Sequence, residues 1–259
     1  MLTIIASMER ELSGLRRRIS SGQSGKLLPP GPLTQHGHFL DLRVVGAGKS
    51  QSQAGLQEIL KAGSDGAPRE LLMLGFAGAV DRELKTGGLV LSSRYYLDTH
   101  DEDFLVPDPA MRQNAIIAAA NAGLPVTHLD SLTVDAIIAT PAAKVALVKD
   151  YPVGIVEMED YWLAAAARDA GVPFISARVV LDTAQQNLPS YLLGLSQGHA
   201  LDVLRTVAMP WRVPALFGLA YQARIARQAL SQFAFSFIRQ WEKENHALKA
   251  ANVAGAVGR

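Results

Sequence analysis

The chain has 259 residues, 49% of them apolar and 19% charged, which is enough to bury a sizeable core in one α/β domain. It has no cysteine, so disulfides and thiolate metal sites are excluded, and its six histidines lack the spacing of metal ligands. The formal net charge is only +1, yet residues 205–259 hold eight Lys or Arg against two Asp or Glu, so positive charge is concentrated near the C terminus.

The N-terminal stretch, residues 1–7, is too short for a signal peptide and is followed closely by the acidic residues of the next segment. No apolar run reaches the length of a transmembrane helix. We therefore expect a protein that is made and kept in the cytoplasm.

The first candidate strand covers residues 2–6, and a helix is expected to start within residues 7–12. That helix opens with Glu9 and Glu11. Acidic side chains in a first helical turn stabilise the helix dipole, which from the residues alone is a sufficient explanation for both.

A glycine-rich segment follows the next candidate strand, residues 38–45. It reads Gly-Ala-Gly-Lys-Ser over residues 46–50 and suggests a phosphate-binding loop. Such a loop requires the pattern G-x-x-x-x-G-K-[ST], and Arg43 occupies the position of the first glycine. A nucleotide triphosphatase is therefore the weaker interpretation, and a turn into a helix is preferred.

Residues 71–74 predict another buried strand, which ends in Gly75, Phe76, Ala77 and Gly78. Glycine at such a place either lets the backbone approach a ligand or only permits a sharp turn. Both interpretations remain open at this point.

The richest stretch of carboxylates runs from residue 154 to 190. Residues 153–156 predict a buried strand, residues 158–170 a helix and residues 174–180 a second strand. Two strands joined by a helix are expected to run parallel and to end at one edge of the sheet, where open α/β sheets bind ligands. Glu157 and Glu159 would then lie near Asp182, unless these acids only cap a helix and a turn.

Two motifs of this stretch resemble those of the superfamily of purine nucleoside phosphorylases and methylthioadenosine/S-adenosylhomocysteine nucleosidases. Residues 156–159, VEME, and residues 178–184, RVVLDTA, are similar to the V-E-M-E and R-x-x-S-D-x-A of that family. The resemblance implies that Glu159, beside Glu157 and Met158, binds the ribose and that Asp182 delivers a proton to the purine. Leu181 stands where the family usually has Ser.

Other segments extend the resemblance over roughly residues 1–189. Residues 8–11, MERE, are similar to the M-E-x-E opening of the nucleosidases, which implies that Glu11 activates water. The loop of Gly75, Phe76, Ala77 and Gly78 would lie beneath the ribose and the nucleophile. The adenine would contact Ile137 and Ile138, of which Ile137 replaces an aromatic residue of the family.

The same resemblance bears on the type of reaction. Phosphorylases of the uridine type carry an Arg just before the glycine loop and hydroxyl residues within it, where this chain has Met73 and Phe76. Hydrolysis is therefore favoured over phosphorolysis.

Softer motifs resemble one subfamily, the hopanoid-biosynthesis-associated phosphorylases, which are proposed to remove adenine from adenosylhopane. The motifs lie in residues 75–78, 139–144, 181–184 and 188–189, and in the tail from residue 204 to 220. The resemblance implies a nucleoside whose 5′ substituent is a lipid.

The C-terminal tail predicts an amphipathic helix. Its apolar positions are Ala220, Ala223, Ala226, Leu230, Phe233 and Phe237, and the opposite face carries Arg224, Arg227, Gln228 and Ser231. The apolar stripe either packs on the domain or lies in a membrane interface. Trp211, Trp241 and the positive charge favour the second alternative, and the pattern alone does not decide.

We therefore expect an α/β protein with the three-layer fold of the family and a mixed central sheet over residues 1–206. A helical extension, residues 207–259, follows and contacts the inner membrane under the second alternative. The resemblance implies no metal, no organic cofactor, no nucleic-acid partner and a homodimer or higher homo-oligomer.

The expected function is cleavage of the N-glycosidic bond of an adenine nucleoside with release of adenine. The alternatives are phosphorolysis, a nucleosidase for methylthioadenosine-like or S-adenosylhomocysteine-like substrates, and a membrane-associated nucleoside-binding protein without catalysis.

Overall fold

The computed structural model describes residues 1–21, 31–35, 38–61, 69–99, 103–189 and 213–257. Its strands are β1 Leu2–Ala6, β2 Gly31–Gln35, β3 His38–Val44, β4 Glu70–Ala79, β5 Leu89–Leu91, β6 Tyr95–Leu97, β7 Phe104–Leu105, β8 Val126–Thr127, β9 Ser131–Thr133, β10 Ile155–Glu157 and β11 Phe174–Asp182. Its helices are α1 Glu9–Ser21, α2 Gly48–Lys61, α3 Pro109–Asn121, α4 Pro141–Asp150, α5 Asp160–Asp169 and α6 Val213–Val257.

The strands form one mixed sheet built around β4, the ten-residue strand whose side chains are mostly buried. Strand β1 runs parallel to β4 along residues 70–74, and β11 runs parallel to it along residues 71–78. Helices cover the sheet, so the predicted α/β architecture with a mixed central sheet is confirmed.

The predicted parallel crossover between the two acidic strands is wrong. Strand β10 pairs antiparallel with β4, whereas β11 pairs parallel with it. Gly78 of β4 pairs with Val156 on one edge and with Asp182 on the other, so β10 and β11 flank β4 and do not neighbour each other. Because β10 and β11 reach Gly78 from opposite directions, the acidic residues at their carboxyl ends still lie near the same point of the sheet.

Strands β1 and β10 share one edge of β4 and run toward each other. The pairing of β1 extends to Leu74, opposite Ala6, and that of β10 extends to Gly78. Residues 75–77 therefore lie between the facing ends of two strands. The side chains that follow both strands converge on this short segment.

Helix α6 packs on the domain through most of its apolar stripe. Ala226, Leu230, Phe233 and Phe237 are buried in the main core with residues of α1 and α3, among them Leu12 and Ala115. Of the two alternatives for the stripe, packing on the domain is the one observed. Ala220, at the start of the stripe, is exposed.

Two residues of α6 that were not assigned to the apolar stripe, Ser231 and Trp241, are also buried. Ser231, expected on the polar face, is buried so close to α1 that a Cβ added to Gly14 would lie 2.0 Å from its Oγ. Trp241, which favoured the membrane alternative, is 4% exposed, and its indole N–H donates to Glu70. Trp211 and the boundary near residue 206 lie outside the described residues.

Within the described ranges, none of the helices is both long enough and apolar enough to cross a membrane.

Candidate functional site

A cavity of about 740 Å³ lies where β1, β4, β10 and β11 end. The four predicted carboxylates, Glu11, Glu157, Glu159 and Asp182, all line it, although they come from three separate parts of the sequence. They are 2–5% exposed. The structure therefore gathers these acids at one largely buried place.

The predicted apolar contacts line the same cavity. They are Phe76, Ala77 and Gly78 of β4, Ile137 and Ile138 after β9, and Met158 after β10. Gly75, which was also predicted to lie beneath the ribose, is not among the residues that line this cavity. A Cβ there would lie 2.1 Å from Nη1 of Arg178, so Gly75 makes room for that guanidinium.

Glu11 is fixed at the start of α1 by two backbone groups. Its Oε2 accepts a hydrogen bond from the N–H of Met8 at 2.9 Å, the reach of a helix capping box, and its Oε1 accepts one from the N–H of Phe76 at 3.1 Å. Burial raises the pKa of Glu11 to about 7, against the opposing effect of Arg178 and the two N–H donors. A carboxylate with such a pKa is suited to take a proton near neutral pH.

Arg178 of β11 is enclosed by carboxylates. Its Nη2 lies 2.9 Å from Oε2 of Glu157, 3.2 Å from Oε2 of Glu159 and 2.6 Å from Oδ1 of Asp160. Its Nη1 donates to the carbonyl of Phe76 at 3.3 Å. The guanidinium thus joins the ends of β4, β10 and α5 into one rigid unit.

Both oxygens of Glu157 are engaged by the protein. Its Oε2 accepts hydrogen bonds from the N–H groups of Glu159 and Asp160, each at 2.6 Å, and its Oε1 accepts one from the Thr133 hydroxyl. Burial and then the charge of Asp160 raise the pKa of Glu157. The carboxyl group of Glu157 braces the start of α5 and positions Glu159.

Glu159 keeps acceptor capacity toward the cavity. Its Oε1 accepts a hydrogen bond from the N–H of Gly48 at 2.9 Å, and its Oε2 accepts one from Arg178. A carboxylate oxygen takes about two hydrogen bonds, so each oxygen has room for one more donor. Two neighbouring hydroxyls of a sugar match this arrangement.

Asp182 ends β11 at a bulge opposite Gly78. Burial raises the pKa of its carboxyl group, and the ammonium of Lys144 acts in the opposite direction. Lys144 lies in α4 and contacts Asp182 Oδ2 through its Nζ. A buried acid with a raised pKa at a cavity wall is able to deliver a proton.

The segment that suggested a phosphate loop forms the turn into α2, as the preferred interpretation expected. Lys49 lies over the ring of Trp162, 3.8 Å from its centroid, and the N–H of Gly48 is bound to Glu159. These groups are engaged by the protein itself.

Among the described residues, no group of three or more His, Asp or Glu side chains is placed to hold a metal ion. Glu157, Glu159 and Asp160 enclose the guanidinium of Arg178 instead.

A sequence model of the phosphorylase superfamily matches residues 32–192, well over half of the chain. The chain belongs to the phosphorylase superfamily. This membership confirms the predicted enzyme family at the level of the superfamily.

Solved structures share the superfamily fold. Futalosine hydrolase of Helicobacter pylori is 17% identical with a TM-score of 0.70, over 92% of this chain and 97% of that one. The methylthioadenosine/S-adenosylhomocysteine nucleosidase of the same organism is 17% identical with a TM-score of 0.69 over the same shares. The corresponding nucleosidase of Campylobacter jejuni is 16% identical with a TM-score of 0.63, over 90% and 97%. At these identities the likeness shows a common fold.

Reasoning from the superfamily motifs missed several residues of the site. Arg178 stood within a motif and received no role, although a charged residue in an apolar strand is a usable signal. Lys144 ended the motif of residues 139–144 and also received no role, because a Lys in a helix usually extends into solvent. The bonds of Gly48 to Glu159 and of Thr133 to Glu157 depend on the tertiary structure.

Proposed function

We propose that this protein hydrolyses the N-glycosidic bond of an adenine nucleoside. The observation that carries the proposal is the pair of buried acids in one cavity, Glu11 with a pKa of about 7 and Asp182 with a raised pKa. Such a pair supplies the base and the acid that hydrolysis requires.

The chemistry follows from the change in charge along the reaction. As the bond between the sugar and adenine breaks, positive charge develops on the ribosyl centre and negative charge on the base. Asp182 protonates the departing base, and Glu11 takes a proton from the water that attacks the sugar carbon. One water is consumed, adenine and a free sugar leave, the proton on Glu11 returns to solvent, and Asp182 regains a proton from solvent.

Recognition of the nucleoside uses the remaining cavity groups. Glu159 accepts hydrogen bonds from the ribose hydroxyls, and Glu157 and Arg178 hold it in place. Ile137 and Ile138 contact the faces of the adenine through apolar surface. A variant of the H. pylori nucleosidase has been solved with 5′-methylthioadenosine in its active site, which supports an adenine nucleoside as the ligand class.

Hydrolysis is favoured over phosphorolysis by the charge of the cavity. Arg178, the buried cation of the wall, is already bound to three carboxylates, and the N–H of Phe76 is bound to Glu11. Met73 is buried in the core of β4 and offers no donor. A phosphate dianion would meet carboxylates where it needs donors.

Phosphorolysis remains the second candidate because of Arg10. Its side chain is exposed and lines the cavity next to Glu11, where its Nη2 contacts the Met8 sulfur at 2.9 Å. If this guanidinium binds phosphate, adenine release will require phosphate and Arg10→Ala will abolish that requirement. Under hydrolysis, Arg10→Ala releases adenine at a similar rate with and without phosphate.

For the 5′ substituent we propose an apolar group, with adenosylhopane as the substrate to which the sequence motifs point. Leu181, Leu188, Leu219 and Ala223 add apolar surface to the cavity, the last two from α6. A second pocket of about 510 Å³ shares Leu219 with the cavity, and we propose that a long substituent extends past Leu219 toward it. The alternative is a short thioether substituent, as in methylthioadenosine.

The test is chromatography of the products from adenine nucleosides that carry a 5′-hydroxyl, a 5′-methylthio group or a long 5′-alkyl group, each with and without phosphate. We expect adenine and a free sugar without phosphate, and the highest kcat/KM for the long alkyl group. A sugar 1-phosphate that forms only with phosphate would establish phosphorolysis. Failure of every nucleoside to release adenine would favour a binding protein.

The path along Leu219 has its own variant. Leu219→Ser should lower kcat/KM for the long alkyl nucleoside and spare the 5′-hydroxyl nucleoside, because only the former reaches α6. Ala220→Ser is the matched control, since Ala220 is the exposed neighbour of Leu219. Equal losses for both nucleosides would contradict the path.

A further inference from the structure

Lys144 occupies an unusual place for a lysine. It is fully buried in the first turn of α4, a helix that begins at Pro141 and is capped by Thr140. Its Nζ contacts the carboxylate of Asp182 and donates to the carbonyl oxygen of Thr183 at 2.7 Å. The side chain therefore ends directly behind the proposed acid.

Three physical costs oppose a lysine at this position. Burial removes the ammonium from water, the first turn of a helix is the positive end of its dipole, and the long side chain loses its rotamer freedom. The carboxylate of Asp182 and the carbonyl of Thr183 offset them. An uncharged residue of similar length would avoid the first two costs, so the charge itself requires an explanation.

Leu181, the residue before Asp182, explains why a charge is needed here. Leu181 stands where the superfamily motif has a serine, so the hydroxyl that could help hold the acid and its proton is missing. In this structure the ammonium of Lys144 makes the contact instead, and it reaches Asp182 at the end of β11 from helix α4.

We propose that Lys144 is the positioning residue of Asp182 and the store of the proton that Asp182 delivers. The proposal rests on the function proposed above. Asp182 touches the base, and Lys144 acts only through Asp182.

A single proton is shared by the pair, as ammonium and carboxylate or as amine and carboxylic acid. When the glycosidic bond breaks, an N–H bond of Lys144 breaks as an O–H bond forms on Asp182, and that O–H bond breaks as an N–H bond forms on adenine. The pair is left as neutral amine and carboxylate, and Lys144 regains a proton from solvent after adenine departs.

The pairing also reconciles the demands on the two acids. Glu11, with a pKa of about 7, is ionised only above that pH, and the acid must still hold a proton there. The ammonium of Lys144 is a second source of that proton, beside the carboxyl group of Asp182, whose own pKa is raised by burial.

Within the described part of the chain, Asp182 is the charged partner of Lys144. The other charged groups of the deep cavity wall, Glu11, Glu157, Glu159 and Arg178, have their described hydrogen bonds elsewhere. On α4 itself, Lys149 and Asp150 are exposed. Burial raises the pKa of Glu157 to about 8, so the alkaline side of the profile is assigned to the Lys144–Asp182 pair by the difference between wild type and the Lys144 variants, all of which keep Glu157.

The experiment is the pH dependence of kcat/KM for adenine release from about pH 5 to about pH 10, the range in which carboxyl and ammonium groups titrate. The proteins are the full-length wild type, Lys144→Met, Lys144→Gln and the exposed control Lys149→Met. Wild type and Lys149→Met should stay active into the ammonium range. Both Lys144 variants should approach wild type at acid pH and lose about tenfold per pH unit above the pKa of the buried carboxyl.

Several results would overturn the proposal. A Lys144 variant whose profile runs parallel to that of wild type would show a purely structural role. If neither Lys144 variant folds, the pH profile of the wild type decides. A wild-type activity that declines in the pH range where carboxyl groups titrate would refute the proposal that Lys144 stores the proton. Activity that persists into the pH range where ammonium groups titrate would support it. A wild type that releases no adenine from any nucleoside refutes the proposed function as well, whereas an active wild type with parallel variants refutes only the role of Lys144.

Discussion

The backbone N–H of Gly48 donates a hydrogen bond of 2.9 Å to Oε1 of Glu159, at the first residue of α2. A helix N-terminus that offers free N–H groups is a binding site for phosphate, and here the ligand is a carboxylate of the same chain. Lys49 is stacked on Trp162. The glycine–lysine segment therefore positions Glu159.

This arrangement predicts that the protein does not bind ATP with magnesium. Lys49→Met should leave the rate of nucleoside cleavage unchanged and lower stability by at most about 1 kcal/mol, the usual contribution of an exposed cation–π contact. Isothermal titration calorimetry with ATP and magnesium checks the first statement, and thermal unfolding checks the second. Measurable ATP affinity that Lys49→Met removes would restore the phosphate-loop interpretation.

Apolar runs were sufficient to predict the central strands, since residues 2–6, 71–74 and 174–180 are all buried strand residues. The position of the acids after the strands also predicted their meeting. The direction of β10 was not predictable from the sequence, because a strand of three residues can pair in either direction with the part of β4 that β1 leaves unpaired. That edge is free only because β1 pairs no farther than Leu74.

Long polar side chains were the other source of error. Nothing in the local sequence distinguishes Glu157, which braces a helix, from Glu159, which keeps free acceptors, because the distinction depends on Thr133 and Gly48. The stripe of α6 was ambiguous for a similar reason. Its partner Leu12 lies more than two hundred positions earlier, and the spacing of apolar residues along a helix does not identify the surface that they face.

The different environments of the two glutamates lead to a prediction about ribose recognition. Glu159→Gln should abolish most of the preference for a ribonucleoside over the 2′-deoxynucleoside, because the lost interaction is the one with the hydroxyl. Glu157→Gln is the comparison variant and should weaken that preference less, because Glu157 acts on the ribose only by positioning Glu159. The measurement is kcat/KM for both nucleosides with all three proteins. Retention of the full preference by Glu159→Gln would remove Glu159 from the ribose site.

Under the proposed mechanism, Glu11 should set the acid side of the pH profile. Burial raises its pKa to about 7, and only its ionised form accepts a proton from water. Activity should therefore fall about tenfold per pH unit as the pH decreases below about 7. In Glu11→Gln, kcat should drop about a hundredfold or more, and this acid limb should disappear.

Glu9→Gln is the control for that experiment, because Glu9 lies in the same helical turn, is largely exposed and pairs with Arg16. Glu9→Gln should retain both the wild-type kcat and the fall in activity below about pH 7. If Glu11→Gln keeps that fall in activity, the fall arises from the titration of another group.

Asp182→Asn tests the general acid. The amide keeps the shape of the side chain and has no acidic proton, so turnover should fall by about a hundredfold to ten-thousandfold while nucleoside binding persists. Single-turnover assays and calorimetric titration with a 5′-substituted adenosine separate the two quantities. Adenine release near the wild-type rate would exclude Asp182 as the acid.

The core position of α6 predicts the outcome of removing one ring. Phe233 is fully buried beside Phe237 and Leu230, so Phe233→Ala should lower the free energy of unfolding by about 3–5 kcal/mol. Phe104→Ala is the matched control, since Phe104 is 44% exposed, and it should cost about 1 kcal/mol. Denaturant unfolding measures both, and liposome co-sedimentation of the same proteins is the second readout. If Phe233→Ala kept its stability and lost the ability to sediment with liposomes, α6 would serve a membrane surface and its packing on α1 and α3 would not be needed for the fold.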